Sequence, residues 1–143
     1  MSQSNVSIVG SYNVGLFLKG SHLPASGETV IGDEFYEGGG GKGSNQAVAA
    51  SMLGATTRFI GRVGFDKYGQ DALAMYKRLG ISLDSIQVDP TTHTGISVIL
   101  IDQFGHNAIS VVLGANARLS TDDIDACQAA LRDSFIVGFQ LEN

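Results

Sequence analysis

Short apolar runs alternate with amphipathic stretches along most of the chain, and the repeat of the pattern switches between two and about 3.6 residues. Val6-Ser-Ile-Val-Gly10 reads as a short buried strand, and Ser11 to Leu18 continues extended toward Gly20. Leu23-Pro24-Ala25-Ser26-Gly27 is a turn, followed by β-forming pieces at Glu28–Ile31 and Glu34–Tyr36. Gln46 to Leu53 is a helix former's stretch, and Gly54 stands where a C-terminal glycine closes a helix. Thr57 to Val63 is strand-like and Gly64 to Gly69 a loop. Gln70 to Leu79 has helical spacing, with Leu73, Met75, Tyr76 and Leu79 as its buried stripe and Gly80 as its stop. Ile81 to Val88 is a further extended piece, ended by Asp89-Pro90.

A hairpin interrupts this alternation. Gly95–Ile101 and Asn107–Leu113 are β-rich, separated by Asp102-Gln-Phe-Gly-His106, and neither is flanked by helices. The pair is expected to stand off the main sheet as a flap, paired with the Glu28–Tyr36 strands. Gly114-Ala115-Asn116 is a turn. A helix follows from Ser120 to about Asp133, with Ser120 as N-cap and a solvated start at Asp122, Asp123 and Asp125. Ser134 to Leu141 reads as a buried strand. Strands alternating with helices imply an α/β fold, and no repeat or second domain is visible.

Glu37-Gly38-Gly39-Gly40-Gly41-Lys42-Gly43-Ser44-Asn45 breaks the pattern most sharply. Four glycines in a row hold neither strand nor helix cheaply, so such a run persists where the backbone needs positive φ or closely approaches a ligand. The run feeds a helix start, whose free N–H groups favour oxygen-rich ligands. Gly38-x-Gly40-x-x-Gly43 formally matches a dinucleotide fingerprint, but the first strand lies far upstream and Arg62-Val63 fills the acidic position. A P-loop fails too, since Tyr36 stands where its first glycine belongs.

At 143 residues, 43% hydrophobic and 16% charged, the chain is expected to be one globular domain. A net charge of −5 without a basic run argues against nucleic-acid or anionic-membrane partners. Cys127 is the single cysteine, and no apolar run reaches membrane-spanning length, so the expected compartment is the cytoplasm. His22, His93 and His106 lack ligand spacing and read as solvated, with no metal site. Cys127 reads as core. Asn13 lies past a strand's carboxyl end, where it either meets a ligand or closes a turn. Tyr12 either covers a ligand or packs.

The glycine stretch resembles the N-terminal signature of the ribokinase-like (PfkB) carbohydrate kinases, closest to the ribokinase branch. Gly40, Gly41, Lys42, Gly43, Asn45, Ala47, Gly54 and Gly64 occupy the positions of that pattern. Gly10-Ser11-x-Asn13, Gly27-Glu28-Thr29, Val63-Gly64-x-Asp66, Gly114-Ala115-Asn116 and Gln140-Leu141-Glu142 also stand where ribokinases carry like residues. The resemblance implies a three-layer α/β/α fold over residues 1–143, with a small β-sheet lid from about 14–36 and 94–113. It implies ATP-dependent phosphoryl transfer to a primary hydroxyl of a pentose such as ribose, with ATP and Mg2+, and K+ as a further candidate. Asn13, Gly40, Gly41, Lys42, Asn45 and Glu142 would bind the sugar, with Ser97 and Val111 contacting it from the lid. Asp66 would either cap its helix or stiffen the region near the sugar. Lids of this kind often pair in a homodimer. The catalytic Asp, in a Gly-Ala-Gly-Asp motif, and the ATP pocket belong to a C-terminal half that this sequence lacks. One departure matters: the Asp expected two residues after Asn13 is Gly15, which weakens ribose as the sugar and leaves another sugar or a nucleoside as alternatives, while the missing catalytic half leaves a non-catalytic sugar-binding fragment as another.

Overall fold

The computed structural model describes residues 5–142. In chain order the elements are β1 (Asn5–Val9), β2 (Asn13–Gly20), β3 (Gly32–Gly40), α1 (Lys42–Met52), β4 (Thr56–Gly64) and α2 (Lys67–Arg78). β5 (Ile86–Asp89), β6 (Gly95–Ile101), β7 (Asn107–Val112), a 3-10 turn (Gly114–Arg118), α3 (Thr121–Ala126), α4 (Gln128–Arg132) and β8 (Ile136–Phe139) follow. No helix among the described residues is long and apolar enough to cross a membrane.

The main sheet is parallel, in the order β5-β4-β1-β8. Successive strand side chains point to opposite faces, so a strand covered on both sides must be apolar at consecutive positions. Ile8 and Phe59 pack with Ala47 of α1 and Ala72 and Tyr76 of α2. Their neighbours Val9 and Ile60 pack on the other face with Cys127, Ile124 and Leu131 of the α3–α4 segment. The result is the α/β/α sandwich that the resemblance implies. β1 is central: the chain leaves it to build β4 on one side and returns as β8 on the other. In an open α/β sheet that reversal leaves a crevice at the carboxyl ends of the strands.

β2, β3, β6 and β7 form a second sheet in the order β3-β2-β6-β7. The expected pairing of the hairpin with the Glu28–Tyr36 region is therefore wrong. β6 pairs in parallel with β2, which lies between it and β3. Glu28–Ile31 is not a strand; its Glu28 instead accepts hydrogen bonds from the Ala25 amide and from His22 in a local turn. Gly38, Gly39 and Gly40 do belong to a strand, because the regular partners Gly15, Val14 and Asn13 of β2 satisfy their backbone. α1 starts at Lys42, not at Gln46. Of Ile81–Val88 only Ile86 onward is strand, preceded by one bridge between Ser82 and Arg58. The helix expected from Ser120 to Asp133 breaks at Cys127 into two short ones. β8 is exposed at both ends rather than buried, with Phe135, Ile136 and Phe139 facing solvent. Asp123 is not solvated; both of its carboxylate oxygens accept from Arg62, at 2.8 and 2.9 Å.

Two buried polar nodes tie the second sheet to the first. Asp66 caps α2 by accepting from Gly69 N at 2.8 Å, and also accepts from Thr94 N and Thr94 Oγ1, both at 2.7 Å. Thr94 Oγ1 in turn accepts from Gly64 N, so the residue before β6 is pinned to the end of β4. At the other end of the hairpin, Asn116 Oδ1 accepts from Tyr12 N at 3.0 Å. Asn116 Nδ2 donates to Tyr12 O, Leu113 O and Asn13 Oδ1. One end of the β6–β7 hairpin is thus fastened to the end of β4 and the other to the start of β2.

Asn116 is 1% exposed. Asn116→Ala leaves the Tyr12 amide and carbonyl without these partners, at a cost of roughly 2–4 kcal/mol for two buried groups. Urea unfolding should show a lower midpoint with an unchanged slope, and an unchanged midpoint would refute this role.

Acid should loosen the first node. Burial pushes the Asp66 carboxyl up, but hydrogen bonds from Thr94 and Gly69 outweigh that and hold it below the ordinary aspartate range. A depressed folded-state value stabilises fully above the unfolded value of about 3.9 and is lost as pH falls through the folded one. Unfolding free energy measured from pH 6 downward should therefore fall less steeply below about pH 4 in Asp66→Asn than in the wild type. Parallel curves would refute the assignment.

Candidate substrate site

Strand β1 delivers the chain to Gly10-Ser11-Tyr12, at the carboxyl end of the sheet, before it turns into β2. Gln140, just past β8, holds this crossing: its Oε1 accepts from Ser11 N at 3.0 Å and Ser11 Oγ at 2.7 Å. The start of α1 rests on the same stretch. Gly41 precedes the helix with φ of 92°, and a Cβ there would lie 2.8 Å from Tyr12 Cα and 2.9 Å from Asn13 N. Only glycine meets both the positive φ and the close approach. Three segments far apart in sequence therefore converge: Asn13 after β1, Lys42 and Asn45 in the first turns of α1, and Glu142 after β8.

Together with one face of the second sheet they line a cavity of about 480 Å³. All eight residues singled out from the sequence lie on its wall: Asn13, Gly40, Gly41, Lys42, Asn45, Glu142, Ser97 and Val111. The N-terminus of α1 carries no side-chain cap, and with Ser44 N donating to Ser11 O, the Lys42 and Gly43 N–H groups are the ones left for oxygen ligands. Asn13 Oδ1 is taken by Asn116, which leaves its Nδ2 as the group for an incoming acceptor. Lys42 Nζ and Glu142 Oε1 form an ion pair with each other, both side chains exposed. An exposed pair of this kind is worth about 1 kcal/mol or less, so hydroxyls that donate to the carboxylate and accept from the ammonium can displace it.

The glycines divide by what they face. A Cβ on Gly39 would meet Met75 and the Tyr12 hydroxyl, whereas Gly43 abuts the Gly10 backbone. Gly38 and Gly40 belong to the β3 positions opposite Gly15 and Asn13. Tyr12 packs rather than covering the cavity; it is buried, edge-on to Tyr76 at 6.0 Å between ring centroids. Burial, then the nearby carboxylates of Asp71 and Asp66, pushes its hydroxyl up to about 12, so it stays protonated. Among the described residues no three His, Cys, Asp or Glu side chains gather as a metal site.

The apolar part of the wall escaped the sequence reading. Phe17, Ile99, Ile101, Ile109 and Leu113 line the cavity beside Asn107. The usable signal was the alternation from Asn13 through Gly15 to Phe17, which puts all three on one face of β2. Asn116 was legible as a turn residue and as part of the resemblance, but not as the group that holds Tyr12 and Asn13.

Residues 3–137 match the family model described as pfkB family carbohydrate kinase. The chain is 36% identical to a ribokinase of Mus musculus over 137 residues, covering 96% of this chain and 42% of that protein. It is 32% identical to a deoxyribokinase of Salmonella typhimurium, covering 96% of this chain and 45% of that one. The solved structure of Arabidopsis thaliana ribokinase complexed with ribose and ATP superposes with a TM-score of 0.80 at 32% identity, covering 99% of this chain and 46% of that one. The chain thus spans less than half the length of these relatives. With the sandwich, the second sheet and the glycine signature all in agreement, the chain belongs to the pfkB family of carbohydrate kinases.

Proposed function

We propose that this chain is the sugar-binding part of a ribokinase-type kinase, which transfers the γ-phosphate of ATP to a primary hydroxyl of a pentose. The observation that carries this reading is the convergence of Asn13, Lys42, Asn45 and Glu142 on one cavity at the carboxyl ends of β1 and β8. Amide, ammonium and carboxylate groups there suit a ligand that both donates and accepts hydrogen bonds at several carbons. Asn13 and Asn45 would bind hydroxyls, Glu142 would accept from one near the reacting end, and Lys42 would reach a sugar oxygen or the transferred phosphate.

What these residues contribute is binding and orientation. The second sheet would close over the sugar and limit water, which matters because water competes as phosphoryl acceptor. No residue of the cavity is placed here as the base that removes the hydroxyl proton. ATP, Mg2+ and any K+ would be held mainly by the remainder of a full-length kinase. Exposed Leu18, Phe35 and Val112, on the face of the second sheet away from the cavity, support a homodimer formed through the lid, and a cytoplasmic location goes with this metabolic role.

A second reading has its own support. Gly15 stands where the resemblance leads one to expect a carboxylate, and the similar proteins include kinases named for both ribose and deoxyribose. A related sugar or nucleoside therefore fits the same site, and a non-catalytic sugar-binding module would use it without phosphoryl transfer.

Calorimetric titration of the 143-residue chain with a panel of pentoses and nucleosides tests the reading. At least one should bind. Asn45→Ala should weaken it roughly tenfold, the equivalent of about 1.4 kcal/mol for lost hydrogen bonds. Absence of any polyol binding, or affinity unaffected by both Asn13→Ala and Asn45→Ala, would reject it. Phosphorylation of the sugar by the 143-residue chain alone would reject the division of labour.

A further inference from the structure

The concave face of the second sheet is built in transverse rows, and their chemistry changes abruptly. Nearest the main sheet lie Gly40, Asn13 and Gly95, paired across β3, β2 and β6. The next row is Gly38, Gly15, Ser97 and Val111. The third is Tyr36, Phe17, Ile99 and Ile109. The second row thus forms a shallow slot of small residues between a polar end and an apolar wall.

Phe17 sets the character of that slot. Its ring folds back along the strand, so that a Cβ on Gly15 would lie 2.6 Å from Phe17 Cε2 and 2.9 Å from Cζ. Ile99 Cδ1 would stand at 3.4 Å on the other side. Tyr36 fixes the ring from the adjacent strand, stacked at 4.5 Å between centroids and 7° between planes. No side chain larger than glycine enters at position 15 while Phe17 holds this rotamer. A carboxylate there would have to displace the Phe17 ring from its stack on Tyr36. The only side-chain polar atom in the slot row is Ser97 Oγ.

We propose that Phe17 is a specificity-determining residue: with Tyr36, Ile99 and Ile109 it selects an alcohol that presents C–H groups or a ring face, rather than a hydroxyl, to the Gly15 row. The inference rests on the reading of this cavity as a sugar site and names the substrate chemistry within it. A hydroxyl aimed at the slot gives up water for a wall with one possible partner, whereas a deoxygenated carbon or an aromatic substituent buries apolar surface against Phe17. The polar groups at the other end then hold the remaining hydroxyls.

The test is titration of ribose, 2-deoxyribose and adenosine into the wild-type chain, Phe17→Ser and Phe17→Leu. The wild type should bind 2-deoxyribose, adenosine or both on the order of tenfold tighter than ribose. A gain for 2-deoxyribose assigns the C–H contact, and a gain for adenosine the ring contact. Phe17→Ser should bring the ratio close to one, while Phe17→Leu, which keeps the wall apolar and guards against a folding defect, should retain the preference. Ribose binding as tightly as both others in the wild type would overturn the inference alone, as would a ratio unmoved in Phe17→Ser. Failure of every polyol to bind would overturn it together with the sugar-site reading.

Discussion

The contact on which the site depends is main chain against main chain. Gly41 and Gly43 at the start of α1 lie against Gly10, Ser11 and Tyr12, with no side chain between. Backbone segments this close leave no room for a Cβ on either partner: Gly43 and Gly10 would each place one within 2.9 Å of the other's Cα. The contact is sealed by Ser44 N donating to Ser11 O at 3.1 Å. It sets the helix start directly beside the exit of β1. Lys42 and Asn45 consequently share a cavity with Asn13. Displace the helix by one side-chain radius and the three groups no longer address one small ligand.

A second constraint acts on the other wall. The second sheet is not an independent unit, since all of its entrances and exits cross a narrow zone at the carboxyl end of the main sheet. Asp66 and Thr94 fasten one entrance, and Asn116 fastens another while also engaging Asn13. The residue that begins β2 is therefore oriented by the residue that follows β7. A polar network this buried stabilises only when complete, and here its carboxylate and amide groups are matched by backbone donors and acceptors. The same atoms that hold the sheet in place orient the amide that faces the cavity.

Much of this was legible in the sequence, for identifiable reasons. Strands β1 and β4 announce themselves through consecutive apolar residues, because a parallel strand is covered on both faces. Asp66 and Ser120 sit where helix caps belong, and the structure uses them so. The glycine run was harder. Its composition argued against regular structure, yet Gly38 to Gly40 are held in β3 by long-range pairing with β2, which no local propensity encodes. Asp123 looked like an exposed helix-start acid because its partner Arg62 lies on a strand remote in sequence. The order of strands in the second sheet was misjudged for a like reason. A parallel β2–β6 pair spans the intervening helices and leaves no turn signature.

The glycine run also carries a warning about inferring chemistry from composition. Clearance for a ligand explains only part of it. Gly41 and Gly43 are fixed by the neighbouring backbone, Gly39 by Met75 and Tyr12, and only the Gly38 and Gly40 positions are free to serve the concave face. Position 15 adds the complementary lesson. A glycine there reads as the loss of a functional group, but in three dimensions the ring of Phe17, two residues along the same face, fills the space above it and makes this part of the wall apolar. In a strand the side chains at i and i+2 compete for one volume. A carboxylate at position 15 therefore requires the Phe17 ring to swing away or a smaller residue at position 17, which couples the chemistry of the two positions.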